Sequence, residues 1–110
     1  MRDSSFSSLD RVFELIARLR GENGCPWDRA QRLDDVLSDL VEEAYELAWA
    51  GAHHGDVELL DEMGDVLFVL CFAICVKHES SPELTLDRVA RHAYEKIKSR
   101  HPHVFGKERA

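Results

Sequence analysis

The feature that most constrains this chain is an uninterrupted apolar run over residues 66–76, which begins directly after an acidic cluster. Hydrophobic side chains in such a run cover every face of a helix, whereas an ordinary surface helix carries an apolar stripe on one side only. The run is too short to span a membrane, which takes about 20 residues. It predicts a helix buried on all sides, and in so small a protein such burial indicates a subunit interface.

Three further segments repeat apolar residues at helical spacing, and the sequence lacks the alternation typical of strands. The segments cover residues 9–19, 33–48 and 86–100. With the helix over 57–77 they predict an all-α chain folded as an antiparallel four-helix bundle. The length of 110 residues suits a single domain over 1–110, with its core over about 9–106.

The ends of the predicted helices carry recognisable capping and turn residues. Ser7 followed by Asp10 resembles a capping box, so it predicts the start of the first helix. Thr85 is expected to cap the last helix. The glycines, asparagine and proline of segment 21–27 are typical of a turn, which places Trp27 on or beside a loop.

The net charge of −7 excludes one large class of function, because binding to duplex nucleic acid depends on a surplus of lysine and arginine. The polar N-terminal residues lack the apolar core of a signal peptide. The three cysteines and the scattered histidines show no zinc-type spacing. We therefore expect a cytoplasmic protein that binds neither duplex nucleic acid nor a membrane.

Two acidic clusters lie on successive predicted helices, and helical periodicity selects four of their members. Glu43 and Glu46 flank one edge of the apolar stripe of the second helix, while Glu62 and Asp65 extend a buried line on the third. If the two helices pack antiparallel, these carboxylates converge, and oxygen ligands favour Mg²⁺ or Mn²⁺ over zinc. The alternative is a solvated acidic face with helix-start carboxylates favoured by the helix dipole.

Positive side chains gather near the C-terminus. Lys96 and Arg100 lie one turn apart on the last predicted helix, and further basic residues follow: His101, His103, Lys107 and Arg109. Such a group can hold phosphates, although cations near a helix C-terminus are also favoured by the dipole without any ligand. Together with an acidic metal site, the cations point to a metal-bound polyphosphate.

Four motifs in order resemble the MazG-like nucleotide pyrophosphohydrolases. They are Gly24-Cys25-Pro26-Trp27-Asp28, Glu42-Glu43-x-x-Glu46, Glu62-x-x-Asp65 and His101-Pro102-His103-Val104-Phe105-Gly106. The glutamate motif alone is weak because acidic helices are common, but the four motifs in sequence are specific. The resemblance spans residues 9–106.

The resemblance implies an all-α fold that works as a homodimer or homotetramer. It implies Mg²⁺ as the cofactor, with Mn²⁺ able to substitute. The implied reaction is hydrolysis of (deoxy)nucleoside triphosphates between the α and β phosphates, which yields a nucleoside monophosphate and pyrophosphate. The corresponding biological role is house-cleaning of the nucleotide pool.

Site residues are implied motif by motif. The implied metal ligands are Glu43, Glu46, Glu62 and Asp65. The implied catalytic residues are Glu42 and Glu43, and Glu42 holds a second metal or orients the attacking water. The implied substrate-binding residues are Lys96 and Arg100 on the phosphates, and Trp27 as a base-stacking or pocket-wall residue. A tryptophan packed over helix ends is the alternative for Trp27.

The chain departs from the usual family pattern before its His-Pro-His element, where Tyr94 and Ser99 replace an asparagine and the first of two arginines. Three alternatives to the implied reaction stay open, and the departures suggest the second of them. They are hydrolysis of another pyrophosphate nucleotide, such as a phosphoribosyl nucleotide or an alarmone, a catalytically silent nucleotide-binding bundle, and a structural bundle with solvated acids.

Overall fold

The computed structural model describes residues 7–106, and all regular secondary structure among them is helical. Six helices follow one another: α1 (Ser8–Leu19), α2 (Pro26–Ala30), α3 (Leu33–His53), α4 (Asp56–Ser80), α5 (Leu86–Ser99) and α6 (Pro102–Phe105). The prediction of an all-α fold is therefore confirmed. None of the helices within residues 7–106 combines the length and the apolar character that crossing a membrane requires.

Both capping predictions are confirmed. Ser7 Oγ accepts a hydrogen bond from the Asp10 N–H at 3.1 Å, and Asp10 Oδ2 accepts one from the Ser7 N–H at 3.3 Å. Thr85 Oγ1 accepts a hydrogen bond from the Arg88 N–H at 3.1 Å. Caps of this kind contribute about 0.5–2 kcal/mol each, so short-range chemistry sets the starts of α1 and α5.

Two short helices, α2 and α6, are not among the four that the sequence predicts. Each begins with a proline, Pro26 or Pro102, at its first helical position. A proline resembles a turn or a stop signal in the sequence, yet its fixed φ and missing N–H also suit the first residue of a helix. Trp27 therefore lies in the first turn of α2, beside the turn over residues 21–24, which agrees with its predicted position on or beside a loop.

The packing centres on α4. Helices α3 and α4 lie along each other, and α1 packs against α4. The buried core combines Ile16 of α1 and Val36 of α3 with Cys71, Phe72 and Ala73 of α4. Helix α5 packs mainly against α6, so an antiparallel four-helix bundle is not confirmed within one chain.

The prediction that segment 66–76 is buried on all sides is wrong for a single chain. Residues 71–74 are buried, but Leu67 and Leu70 remain exposed, because α1 and α3 pack against only part of the circumference of α4. The radius of gyration of 16.9 Å also exceeds the value of about 13 Å expected for a compact chain of 110 residues. One chain therefore leaves apolar surface of its central helix open to solvent.

Candidate metal centre

Three carboxylates converge where α3 lies against the first half of α4. Glu43 on α3 and Glu62 and Asp65 on α4 each place one carboxylate oxygen within 4.8 Å of the other two. Glu62 and Asp65 are three residues apart, so they share one side of α4. The structure thus brings together three of the four residues that were predicted as metal ligands.

Two of these carboxylates carry an oxygen that is buried and has no hydrogen-bond partner among the described residues, namely Glu43 Oε1 and Glu62 Oε1. The ion pairs found within 7–106 lie elsewhere in the fold. Burying a polar atom without a partner costs free energy, so exceptions of this kind call for an explanation. A cation among the three carboxylates would supply the missing partner.

Burial and like charge act together on the two glutamates. Partial burial, followed by the charges of Asp65 and Glu46, raises the pKa of the Glu43 carboxyl above its ordinary value. Desolvation is also the first cause of the raised pKa of Glu62, and the charges of Glu46 and Asp65 come next. Both effects disfavour the ionised form, and the positive charge of a bound cation would oppose them by favouring it.

The remaining two predicted acids lie at the edge of this centre or outside it. Glu46 lines the adjoining groove, and its charge acts on Glu43 and Glu62, but it stands outside the group of three. Glu42 is exposed and does not line the groove. The catalytic role of Glu42 therefore stays a prediction.

Two residues near the centre were not singled out by the sequence. Asp61 and His54 both line the groove, and they act on the pKa of Glu62 in opposite directions, with Asp61 raising it and His54 lowering it. Asp61 directly precedes Glu62, and that adjacency was a usable signal. His54 gave no such signal, because it approaches Glu62 only through the fold of the turn between α3 and α4.

A groove of about 930 Å³ adjoins the carboxylates. Besides acids, its lining includes the aromatic rings of Tyr45 and Trp49 and the apolar side chains of Val57 and Leu60. Trp49 stacks on His53 with ring centroids 3.5 Å apart. The volume suits a ligand of nucleotide size, and the acids along the groove suit a ligand that carries a metal.

The predicted substrate-binding residues do not line this groove. Trp27 is exposed on α2 and borders a separate small recess. Lys96 lies on α5 and Arg100 is its C-terminal cap residue, and both are exposed. Of the further basic residues, His101 and His103 are exposed at the cap and within α6, whereas Lys107 and Arg109 lie outside the described residues.

The fold and the centre together define an all-helical protein with an oxygen-only carboxylate site suited to a hard divalent cation. Comparison with known families is consistent with that description. Residues 31–105 match the MazG nucleotide pyrophosphohydrolase domain. The chain belongs to this family.

Several bacterial proteins are similar to the chain. The Thermotoga maritima protein named nucleoside triphosphate pyrophosphohydrolase/pyrophosphatase MazG is 36% identical over 98 residues, covering 89% of this chain and 38% of that protein. The nucleoside triphosphate pyrophosphohydrolase of Escherichia coli K12 is 34% identical over 100 residues, covering 90% and 38%. The uncharacterised protein YabN of Bacillus subtilis is 37% identical over 91 residues, covering 83% and 18%.

This chain thus spans less than two fifths of the length of these relatives. No solved structure matches it significantly.

Proposed function

We propose that this chain hydrolyses (deoxy)nucleoside triphosphates between the α and β phosphates and releases a nucleoside monophosphate and pyrophosphate. The observation that carries the proposal is the pair of buried, unpartnered oxygens of Glu43 and Glu62 beside Asp65 in a chain of the MazG family. The names of the Thermotoga and Escherichia relatives support the same reaction. House-cleaning of the nucleotide pool is the corresponding biological role.

Magnesium is the proposed cofactor, and Mn²⁺ is the proposed substitute. Glu43, Glu62 and Asp65 would hold the cation, and Glu46 would complete the ligand set, because carboxylate oxygens without nitrogen or sulphur donors favour hard ions. When bound, the cation would neutralise charge on the triphosphate oxygens and lower the pKa of water at the site. The unpartnered oxygens of this structure support the fit.

The chain's own residues would position the substrate and the water. We assign Glu42 together with Glu43 to catalysis, with Glu42 orienting the attacking water or holding a second metal. Trp27 would stack on the base or form the wall of its pocket, while Lys96 and Arg100 would bind phosphates. Because α5 packs mainly on α6 and does not line the groove, we expect these two cations to reach the phosphates in the assembled oligomer.

An apolar seam on α4 supports assembly as a homodimer or homotetramer. We define the α4 seam as Leu60, Met63, Leu67 and Leu70, which are 72%, 51%, 46% and 43% exposed. Their alternating spacing of three and four residues is that of helices that pack side by side, and they lie roughly opposite Asp65 on the helix. A second copy on this seam would complete a four-helix bundle and bury the apolar run.

A catalytically silent nucleotide-binding bundle is the second candidate, and the departures at Tyr94 and Ser99 favour it. Ser99 Oγ donates a hydrogen bond to the Lys96 carbonyl of its own helix at 3.0 Å. This hydroxyl is therefore engaged within α5, whereas an arginine at the same position could reach out to a phosphate.

A substrate screen separates these candidates. It measures pyrophosphate release from (deoxy)nucleoside triphosphates, a phosphoribosyl nucleotide and an alarmone, with Mg²⁺, with Mn²⁺ and with a chelator. We expect metal-dependent release from triphosphates. Nucleotide binding without release would favour the silent bundle, and selective turnover of a different pyrophosphate nucleotide would replace the proposed substrate while leaving the carboxylate centre in place.

The substitution Glu62→Gln tests the centre directly. Loss of residues that merely support a metal ligand typically costs 10 to 100-fold, so loss of a ligand should cut kcat/KM by about 100-fold or more. Glu14→Gln, which removes one exposed carboxylate of α1, is the matched control and should retain full activity. Full Mg²⁺-dependent turnover in Glu62→Gln would rule out the proposed centre.

A further inference from the structure

The Arg20 guanidinium ties three helices together. It lies at the C-terminal cap of α1 with its side chain only 12% exposed. Nε and Nη2 donate to the two carboxylate oxygens of Glu79 on α4 at 2.7 and 2.8 Å. Nη1 donates to the backbone carbonyls of Asp28 and Gln31 at 2.7 and 3.0 Å. We call this set of bonds the Arg20 clasp.

The clasp matters most for α2, which is otherwise joined to the end of α1 by a backbone hydrogen bond that the Cys25 N–H donates to the Leu19 carbonyl at 2.9 Å. This helix has only five residues, none of them buried, and its N-cap residue Cys25 makes no side-chain capping bond. Among the described residues, its Arg29 side chain donates to the Glu22 carbonyl in the preceding turn at 3.1 Å. Among side chains of the described residues, Arg20 is thus the one whose hydrogen bonds join the backbone of α2 to the helical body.

Helix α2 in turn forms one wall of a recess of about 70 Å³. Trp27 lines it from α2, Gln31 from the C-terminal cap of α2, Asp39 from α3, and Phe68 and Phe72 from α4. The volume is room for about two waters, so the recess fits the edge of an aromatic ring, and the exposed indole of Trp27 would supply the face. The guanidinium of Arg20 lies 5.6 Å from the centroid of Phe72, on which the recess is built.

The recess lies one helical turn from the carboxylate centre on both helices that form it. Asp39 precedes Glu43 by four residues on α3, and Val69, which also lines the recess, follows Asp65 by four residues on α4. The charge of Asp39 acts on Glu43, which shows that the two sites are electrostatically close. A nucleotide whose phosphates are held at the carboxylates could therefore place its base against α2.

We infer that Arg20 is a positioning residue for the nucleoside end of the substrate, because it fixes the α2 wall and the Trp27 indole beside the carboxylate centre. The inference rests on the proposed function, since that function supplies the ligand. Arg20 touches no reacting atom in this scheme. It therefore contributes to substrate affinity and to discrimination between bases, while the chemical step depends on the acidic residues.

The conservative variant Arg20→Lys separates the role of the guanidinium's hydrogen bonds from the role of its positive charge. A lysine keeps the positive charge near Glu79, but its single ammonium lacks the planar fork that joins one carboxylate and two carbonyls at once. We expect KM for the preferred triphosphate to rise by about tenfold with kcat changed by less than about twofold, the pattern of lost ground-state binding. Glu79→Gln, which leaves both bonds to the α2 carbonyls possible, should raise KM by much less.

Two controls separate positioning from a general loss of stability. Ile16→Val trims a fully buried core residue next to the clasp in α1, and we expect it to lower Tm without raising KM. Arg91→Lys alters the exposed ion pair with Asp87 and should change neither quantity. If Ile16→Val raises KM as much as Arg20→Lys does at the same loss of Tm, the clasp is merely structural and the inference is overturned.

Amide hydrogen exchange gives a readout that does not depend on activity. In Arg20→Lys we expect faster exchange at the hydrogen-bonded amides of Arg29 and Gln31, with α3 amides unchanged. Unchanged exchange and unchanged KM in an active protein would overturn the inference alone. Absence of turnover in the wild type would instead refute the proposed function, and the substrate role of Arg20 with it.

Discussion

At the scale of single residues, the carboxylate centre holds like charges together against their repulsion. Burial and neighbouring acids raise the pKa of Glu43 and Glu62, so the ionised forms are less favourable in the folded chain than in the unfolded one. The contribution of such a group to the free energy of unfolding is greatest below its pKa in the unfolded chain. This contribution is lost as the pH rises through its pKa in the folded chain. At neutral pH the metal-free chain therefore carries the full cost of the repulsion.

Replacing Glu43 by glutamine should move stability and metal binding in opposite directions. At pH 7 Glu43→Gln removes one repelling charge, so we expect a higher Tm without metal. The variant should also lose the rise in Tm that Mg²⁺ gives the wild type, since binding at 100 times Kd adds about 2.7 kcal/mol to the free energy of unfolding. Calorimetry with and without Mg²⁺ measures both effects, with Glu14→Gln as the control. A wild-type Tm that does not respond to Mg²⁺ would contradict metal binding.

The sequence predicts the parts of the carboxylate centre that depend on spacing within one helix, and it does not predict the parts that depend on how two helices pack. Glu43, Glu62 and Asp65 could be selected because side-chain direction along a helix depends only on spacing. The displacement of Glu46 from the group, and the approach of His54, depend on how α3 and α4 lie against each other. Spacing within one helix carries no information about that arrangement.

At the scale of helices, α1 and α5 depend on contacts between residues close in the chain, whereas α2 depends on a contact between distant ones. The caps of α1 and α5 join residues three apart, so a short motif is enough to predict them. Helix α2 depends on Arg20, whose carboxylate partner Glu79 is 59 positions away in the chain. No local pattern reveals such a contact, and the segment therefore looks like a simple turn in the sequence.

The stability that the Arg20 clasp contributes to the fold should depend on pH. Hydrogen bonding to Arg20 lowers the pKa of Glu79 below its ordinary value of 4.5, so the ionised form is favoured in the folded chain. The resulting stability is present above the unfolded pKa and is lost as the pH falls through the lower, folded pKa. Because the Glu79 side chain is 53% exposed, we expect its ion pair with Arg20 to contribute at most about 1 kcal/mol to the free energy of unfolding at neutral pH.

Denaturant unfolding of Glu79→Gln and wild type at neutral pH and at about pH 3 tests this linkage. The wild type should be the more stable protein at neutral pH, and the difference should shrink at acidic pH as Glu79 becomes protonated. Asp87→Asn, which removes the exposed i, i+4 partner of Arg91, should show a smaller difference at both pH values. A difference for Glu79→Gln that persists unchanged in acid would contradict the assignment.

At the scale of the whole molecule, a single chain leaves its most apolar helix incompletely covered. Periodicity predicts the all-α class because each helix shows its own apolar pattern, but the pattern does not say which chain supplies the covering helix. A chain of this size buries only about 60 to 70% of its unfolded surface. The burial that segment 66–76 requires is thus expected from a second copy packed on the α4 seam.

Leu67→Glu should therefore block assembly, because a carboxylate in an apolar seam has no partner there. Sedimentation analysis should find an oligomer for the wild type and a monomer for this variant. Leu15→Glu alters a leucine of α1 that is 52% exposed but lies outside the seam, and it should assemble normally.

We also expect Leu67→Glu to lose pyrophosphate release although Leu67 lies opposite Asp65 on α4, because only the oligomer brings Lys96 and Arg100 to the phosphates. A fully active monomer would disprove that dependence, and a Leu67→Glu oligomer would place the interface elsewhere.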